Sequence, residues 1–96
     1  MNIKTYQLES PRSGNPVANQ YEIRVGSKIY FQSYRSIICK IDNGKIYLDS
    51  YYWDYSRTTV KYLKLFLSQF LRDPLSVKEI REKIAKKEFK LTNLNK

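Results

Sequence analysis

The chain has 96 residues, one cysteine and no histidine, and its 18 Lys/Arg against 9 Asp/Glu give a formal net charge of +9. That length suits one domain, and a single cysteine excludes an internal disulfide and points to a reducing interior. Met1-Asn2-Ile3-Lys4 lacks the apolar run of a signal peptide, and no stretch approaches the ~20 apolar residues that span a bilayer, so a soluble cytoplasmic protein is expected, with no membrane partner.

The charge is unevenly placed. Residues 1–56 carry seven Lys/Arg against five Asp/Glu, whereas residues 57–96 carry eleven against four. A basic surface attracts polyanions: nucleic acid, an acidic protein face or an anionic membrane. Ordinary solvation of a helix is the competing explanation.

In chain order, Ile3 to Leu8 alternates weakly and reads as an edge strand. Ser10-Pro11-Arg12-Ser13-Gly14-Asn15-Pro16 is a loop on composition, with Arg12 as a candidate contact residue. Asn19 to Val25 and Ile29 to Ser33 read as a hairpin. A three-residue Gly26-Ser27-Lys28 loop sets Val25 opposite Ile29, Ile23 opposite Phe31 and Arg24 opposite Tyr30. A two-residue turn would put Val25 against Lys28 and mix polar with apolar faces, so burial favours the longer loop. Asn43-Gly44 is the preferred pair for a type I′ turn. It sets Asp42 against Lys45, Ile41 against Ile46, Lys40 against Tyr47 and Cys39 against Leu48, with Ile37, Cys39, Ile41, Ile46 and Leu48 sharing one face.

Next comes Tyr51-Tyr52-Trp53-Asp54-Tyr55, four aromatic rings in five residues. Such a cluster either cements a small core or meets a partner. From Arg57 to Arg72, Val60, Leu63, Phe66, Leu67, Phe70 and Leu71 recur at helical spacing, with Asp54, Ser56 or Thr58 as N-cap and Asp73-Pro74 as the stop. Ser76-Val77-Lys78-Glu79 has the form of a capping box and opens a second helix to about Lys87, with Val77, Ile80 and Ile84 inward. Glu79–Lys83 and Glu82–Lys86 are favourable pairs at i,i+4. Phe89, Leu91 and Leu94 suggest a short closing strand or an extended tail. The expected fold is α+β: an antiparallel sheet of four to five strands in two hairpins, with two C-terminal helices packed on one face. Residues 1–96 form a single domain, with 1–56 mainly β, 57–88 helical and 89–96 a strand or tail.

Catalytic chemistry finds little support. Without histidine there is no usual general base near neutral pH, and a zinc site would need mainly carboxylates. Cys39 alternates with Ile37 and Ile41 and reads as a small buried hydrophobe. Turn, strand-end and cap roles account for Asp42, Asp49 and Asp54 more simply than cation binding. No phosphate-cradling glycine motif occurs. The expectation is a non-enzymatic protein with no cofactor and no metal.

Two surfaces remain as binding candidates. Arg57, Lys61, Lys64, Ser68 and Arg72 fall within an arc of about 80° on the first helix, opposite its apolar stripe. Four cations along about 22 Å could follow a phosphate backbone, and this face carries no acid, unlike the second helix. The second candidate is the outward face of the hairpins, Arg24, Tyr30, Lys40 and Tyr47, with Tyr34 and Arg35 nearby. Rings and cations interleaved in this way can stack bases and neutralise phosphates, or anchor a protein interface.

The strings Asn19-Gln20-Tyr21, Tyr30-Phe31-Gln32-Ser33-Tyr34-x-Ser36, Ile46-Tyr47-Leu48-Asp49 and Tyr52-Trp53-Asp54-Tyr55-Ser56-x-Thr58-Thr59-x-Lys61-Tyr62, then Phe66-Leu67, resemble a family of short uncharacterised proteins of phages and prophages of Gram-positive bacteria. The resemblance spans roughly residues 14–67. It implies a mobile-element origin and a bacterial host cytoplasm, and it carries over no functional residues. Origin, missing catalytic groups and the basic, aromatic surface together suggest a stoichiometric inhibitor of a host nucleic-acid-handling or defence complex, anti-CRISPR-like. Direct DNA or RNA binding in phage gene control or genome handling is the alternative. The expected partner is thus a host protein or nucleoprotein complex, or nucleic acid itself; the oligomeric state stays open.

Overall fold

A computed structural model describes residues 3–71 and 74–95. Six strands, β1 (Ile3–Glu9), β2 (Pro16–Val25), β3 (Lys28–Ser33), β4 (Ser36–Asp42), β5 (Lys45–Asp49) and β6 (Phe89–Thr92), lie side by side in chain order. Helices α1 (Arg57–Ser68) and α2 (Val77–Ala85) fill the connection between β5 and β6. The fold is α+β as expected, but the sheet has six strands rather than four or five. It is also mixed. β1 to β5 form an antiparallel meander, whereas β6 pairs with β5 in parallel. A parallel neighbour requires a crossover, and the two helices supply it.

The β4–β5 hairpin has the expected register in all four pairs, and Asn43 and Gly44 both take positive φ (51° and 78°), as a type I′ turn demands. The β2–β3 hairpin does not follow expectation. Its turn has two residues, so Val25 opposes Lys28, Ile23 opposes Tyr30 and Arg24 opposes Ile29. Gly26 takes φ of 60°, which suits the first central position of a type II′ turn. The shift places Gln20, Glu22 and Arg24 on the helix-covered face. Pairing offsets the cost for two of these: Arg24 Nε donates to Glu22 Oε2 at 2.7 Å, and its guanidinium lies 5.9 Å from the rings of Tyr6 and Phe70. Ile23 and Val25 consequently sit half-buried on the opposite face.

A bulge between β3 and β4 makes a second correction. The ladder runs Phe31↔Cys39 and then Gln32↔Ile37, which inserts Ile38 as the extra residue. Ile38 is therefore buried, and Ile37 leaves the apolar face expected for it. The side chain of Asn95 brackets Ile37 instead: Asn95 Oδ1 accepts from the Ile37 N–H at 2.7 Å, and Asn95 Nδ2 donates to the Ile37 carbonyl at 2.8 Å.

One core joins sheet and helices. Phe31, Cys39, Leu48, Leu63, Phe66, Leu67 and Ile80 are essentially inaccessible, and Phe31 stacks on Phe66 at 5.5 Å. Burial pushes the Cys39 thiol well above its ordinary range, which makes it inert as expected of a small hydrophobe. Ser56 is the N-cap of α1, its Oγ accepting from the Thr59 N–H at 3.1 Å. α1 ends at Ser68, short of the expected Arg72. Its last turn tightens as Phe70 N–H donates to the Leu67 carbonyl, bringing the Phe70 ring 5.1 Å from Phe66. The expected stop at Asp73 lies outside the described residues.

The capping box of α2 is formed: Ser76 Oγ accepts from the Glu79 N–H at 3.1 Å, and Glu79 Oε1 accepts from the Ser76 N–H at 3.0 Å. α2 ends at Ala85, with Lys87 at φ of 63°. Glu88 N–H reaches the Lys83 carbonyl and Lys87 N–H the Ile84 carbonyl, a Schellman closure without glycine. Lys83 pairs with Glu88 at 3.4 Å rather than with Glu79, whose carboxylate is engaged in the cap.

Candidate partner and nucleic-acid interface

Asp49 organises the region from which the candidate surfaces extend. Burial raises its pKa, but the N–H groups of Leu94, Tyr52 and Tyr51 and the Asn95 side chain outweigh that and hold the carboxyl below its usual range. Oδ2 accepts from Tyr52 (2.8 Å) and Tyr51 (3.1 Å), and Oδ1 accepts from Leu94 (2.8 Å). One carboxylate thus ties the end of β5, the aromatic turn and the C-terminal segment together. This is the strand-end role expected of it. Asp54 pairs with Arg81 at 3.3 Å, and Asp42 faces Lys45 across the β4–β5 ladder.

The aromatic turn is divided between core and surface. Trp53 is buried, with the Arg81 guanidinium 5.1 Å from its ring. Tyr51, Tyr52 and Tyr55 gather with centroids 4.7 to 6.0 Å apart, and Tyr51 and Tyr55 stand well exposed.

The first candidate surface is the outer face of α1. Arg57 and Lys61 are exposed and Lys64 is half-buried. Arg72 lies outside the described residues, so its place in the stripe is not defined. Sequence reasoning treated Arg12 apart from this stripe, but the structure brings them together. Ser10, Pro11 and Arg12 fold beside Lys61, Lys64 and Ser68 around a groove of about 620 Å³ that also touches Tyr62 and Leu65. The loop is well tied, since Gly14 N–H donates to the Ser10 carbonyl at 2.7 Å and Ser10 N–H to that of Asn15 at 2.8 Å. On the other flank of α1, Arg57, Lys61 and Lys64 border a second groove of about 420 Å³ shared with Arg81 of α2. Arg12, Arg57, Lys61 and Lys64 make no ion pair among the described residues. Three cations converge on the first groove, beside the hydroxyls of Ser10 and Ser68.

The second surface is the sheet face turned away from the helices. Direct ladder partners share a face, so one row crosses the whole sheet: Thr5, Ile23, Tyr30, Lys40, Tyr47 and Lys90. Lys40 Nζ sits 4.7 Å from the Tyr47 ring. Tyr30, Lys40 and Tyr47 therefore stand together as the sequence suggested. Arg24 does not join them; the two-residue turn sends it to the opposite face, over Phe70.

Tyr34 and Arg35 form the β3–β4 turn and border a third place, a cleft of about 380 Å³ closed on its other side by Tyr52 and Tyr55. Sequence reasoning did not link these residues. Only the bulge and the aromatic turn, both tertiary features, bring residues 33–36 against 52–59.

Among the described residues no helix is long and apolar enough to cross a membrane, and no group of His, Cys, Asp or Glu is arranged to hold a metal. No curated protein and no solved structure matches the chain. The profile of a family of unknown function, DUF8033, matches residues 2–88. By that match over most of its length, the chain belongs to the DUF8033 family.

Proposed function

We propose that this protein acts by binding rather than by turnover, as a small phage or prophage accessory protein that inhibits a host nucleic-acid-handling or defence complex stoichiometrically, in the manner of an anti-CRISPR. The observation that carries this reading is the groove in which Arg12, Lys61 and Lys64 converge beside the hydroxyls of Ser10 and Ser68. A shaped cationic surface of this kind fits the acidic or phosphate-bearing surface where such a complex grips or carries nucleic acid. Arg57 extends the same face toward the start of α1. Host cytoplasm is the corresponding location.

Direct DNA or RNA binding is the second reading. It is favoured by the row of Tyr30, Lys40 and Tyr47 on the open sheet face, where rings can stack bases while Lys90 and Lys40 meet phosphates.

Two measurements separate the readings. Affinity for a labelled single-stranded or duplex oligonucleotide is measured from low to physiological salt, for the natural protein, for Lys61→Glu/Lys64→Glu and for Lys40→Glu. Direct binding gives a steep salt slope, and Lys40→Glu on the sheet face then costs at least tenfold in affinity. Inhibition gives no useful affinity for free nucleic acid, yet one host complex is retained by the natural protein from nuclease-treated lysate and lost by Lys61→Glu/Lys64→Glu. Retention of nothing in either experiment, or substrate turnover by the purified protein, defeats the proposal.

A further inference from the structure

We infer that the cleft between the β3–β4 turn and the tyrosine turn binds one nucleotide unit: a planar heterocyclic base stacked among Tyr34, Tyr52 and Tyr55, with its phosphate toward Arg35. The inference stands on residues separate from the α1 groove, so either can fail without the other.

Three independent features converge there. The first is shape and chemistry. At about 380 Å³ the cleft lies at the small end of ligand sites, and its walls are aromatic rings from two different segments. Tyr34 and Tyr55 are 60% and 65% exposed, so neither ring is there to fill the core. Aromatic rings lining a cleft from two segments suit another flat π-system.

The second is polarity at the base of the slot. Ser33 lines it, is 4% exposed, and its Oγ has no hydrogen-bond partner among the described residues. Directly across the ladder, Gln20 is buried with Oε1 equally unpartnered. Orphaned buried polar atoms are uncommon and costly. An aliphatic chain or a plain phenyl ring would leave the hydroxyl unpaired. The nitrogen- and oxygen-bearing edge of a base supplies a donor or acceptor once the Ser33 hydroxyl rotates toward the cleft.

The third is backbone strain. Tyr34 takes φ of 58°, a conformation that suits glycine and is a genuine outlier for a bulky aromatic residue. It is pinned from both sides: its N–H donates to the Asn19 carbonyl at 2.7 Å, and its own carbonyl accepts from Gln32 Nε2 at 2.7 Å. The turn itself has no use for a ring at this position, whereas the cleft does. Charge agrees. Arg35 is exposed and lines the cleft, as does Thr59, in a first turn of α1 that carries no acidic residue.

The test is titration of the full chain, followed by backbone amide NMR, with AMP, UMP, inorganic phosphate and a ten-residue single-stranded oligonucleotide. Saturable shifts at Ser33–Ser36, Tyr52 and Tyr55 are expected with a nucleotide probe and not with phosphate alone. Saturation by mononucleotides points to a free nucleotide, and saturation by the oligonucleotide alone points to a base exposed in a strand. Tyr34→Gly should weaken binding about tenfold without lowering Tm, because it removes the ring and relieves the turn; a purely structural tyrosine would not show that split. Ser33→Ala should also weaken binding, while Lys61→Glu/Lys64→Glu should leave the cleft shifts from mononucleotides in place. Absence of saturable shifts with every nucleotide probe overturns the inference. So does an equal response to phosphate alone, or unchanged affinity in Tyr34→Gly.

Discussion

The two helices are built from similar material and used differently. α1 sends Leu63, Phe66 and Leu67 into the core and turns Arg57, Lys61 and Lys64 outward without ion partners among the described residues. α2 buries only Ile80, and three of its five charges are engaged: Arg81 with Asp54, Lys83 with Glu88, Glu79 in its own cap, while Lys78 and the expected Glu82–Lys86 pair show no ion pair among the described residues. One helix is therefore keystone and candidate interface at once, while the other is a charge-balanced cover. Mixed charge on a helix face goes with local pairing, and single-sign charge leaves a field directed at solvent or a partner.

The largest test of that contrast is in the core. Phe66→Ala removes the ring stacked on Phe31 and in contact with Phe70, and should cost about 3–5 kcal/mol, seen as a lower denaturant midpoint. Ile80→Ala should cost about 2–4 kcal/mol, at or below the α1 value. If Ile80→Ala proves the more damaging, α2 is no mere cover.

A smaller effect tests the Asp49 tie. Its folded pKa is held below the unfolded value, so its stabilisation is fully present above the unfolded pKa and is lost as pH falls through the folded pKa. Asp49→Asn should lower stability by about 1–3 kcal/mol at neutral pH and flatten the acid limb of a stability-against-pH curve. An unchanged acid limb would remove Asp49 from the account. The smallest expected effect is a gain. Lys87→Gly relieves the left-handed C-terminal closure of α2 and should raise stability by about 0.5–1 kcal/mol, read by Tm.

What the sequence disclosed follows a physical division. The β4–β5 hairpin was legible because Asn43-Gly44 and the alternation from Cys39 to Leu48 point to the same register. The β2–β3 hairpin was misread because Glu22 and Arg24 satisfy each other on the covered face, which alternation alone scores as wrong. The Ser76 cap was readable from four residues, whereas Ser56 was one of three candidates for the cap of α1. The bulge at Ile38, the parallel pairing of β6 and the joining of Arg12 to α1 depend on distant partners and left no local mark. The same holds for the candidate site. The α1 stripe was visible as spacing, whereas the tyrosine cleft exists only once residues 33–36 meet residues 52–59.

The closing strand has a consequence for how this polypeptide is born. β6 lies at residues 89–92, immediately beyond the stretch matched by the family profile, and it covers the β5 border. Until a ribosome releases those residues, the nascent meander carries an open row of amide groups along β5, available to a neighbouring chain. Residues 89–92 must emerge before that side is sealed, so β6 guards the β5 border against self-association during translation.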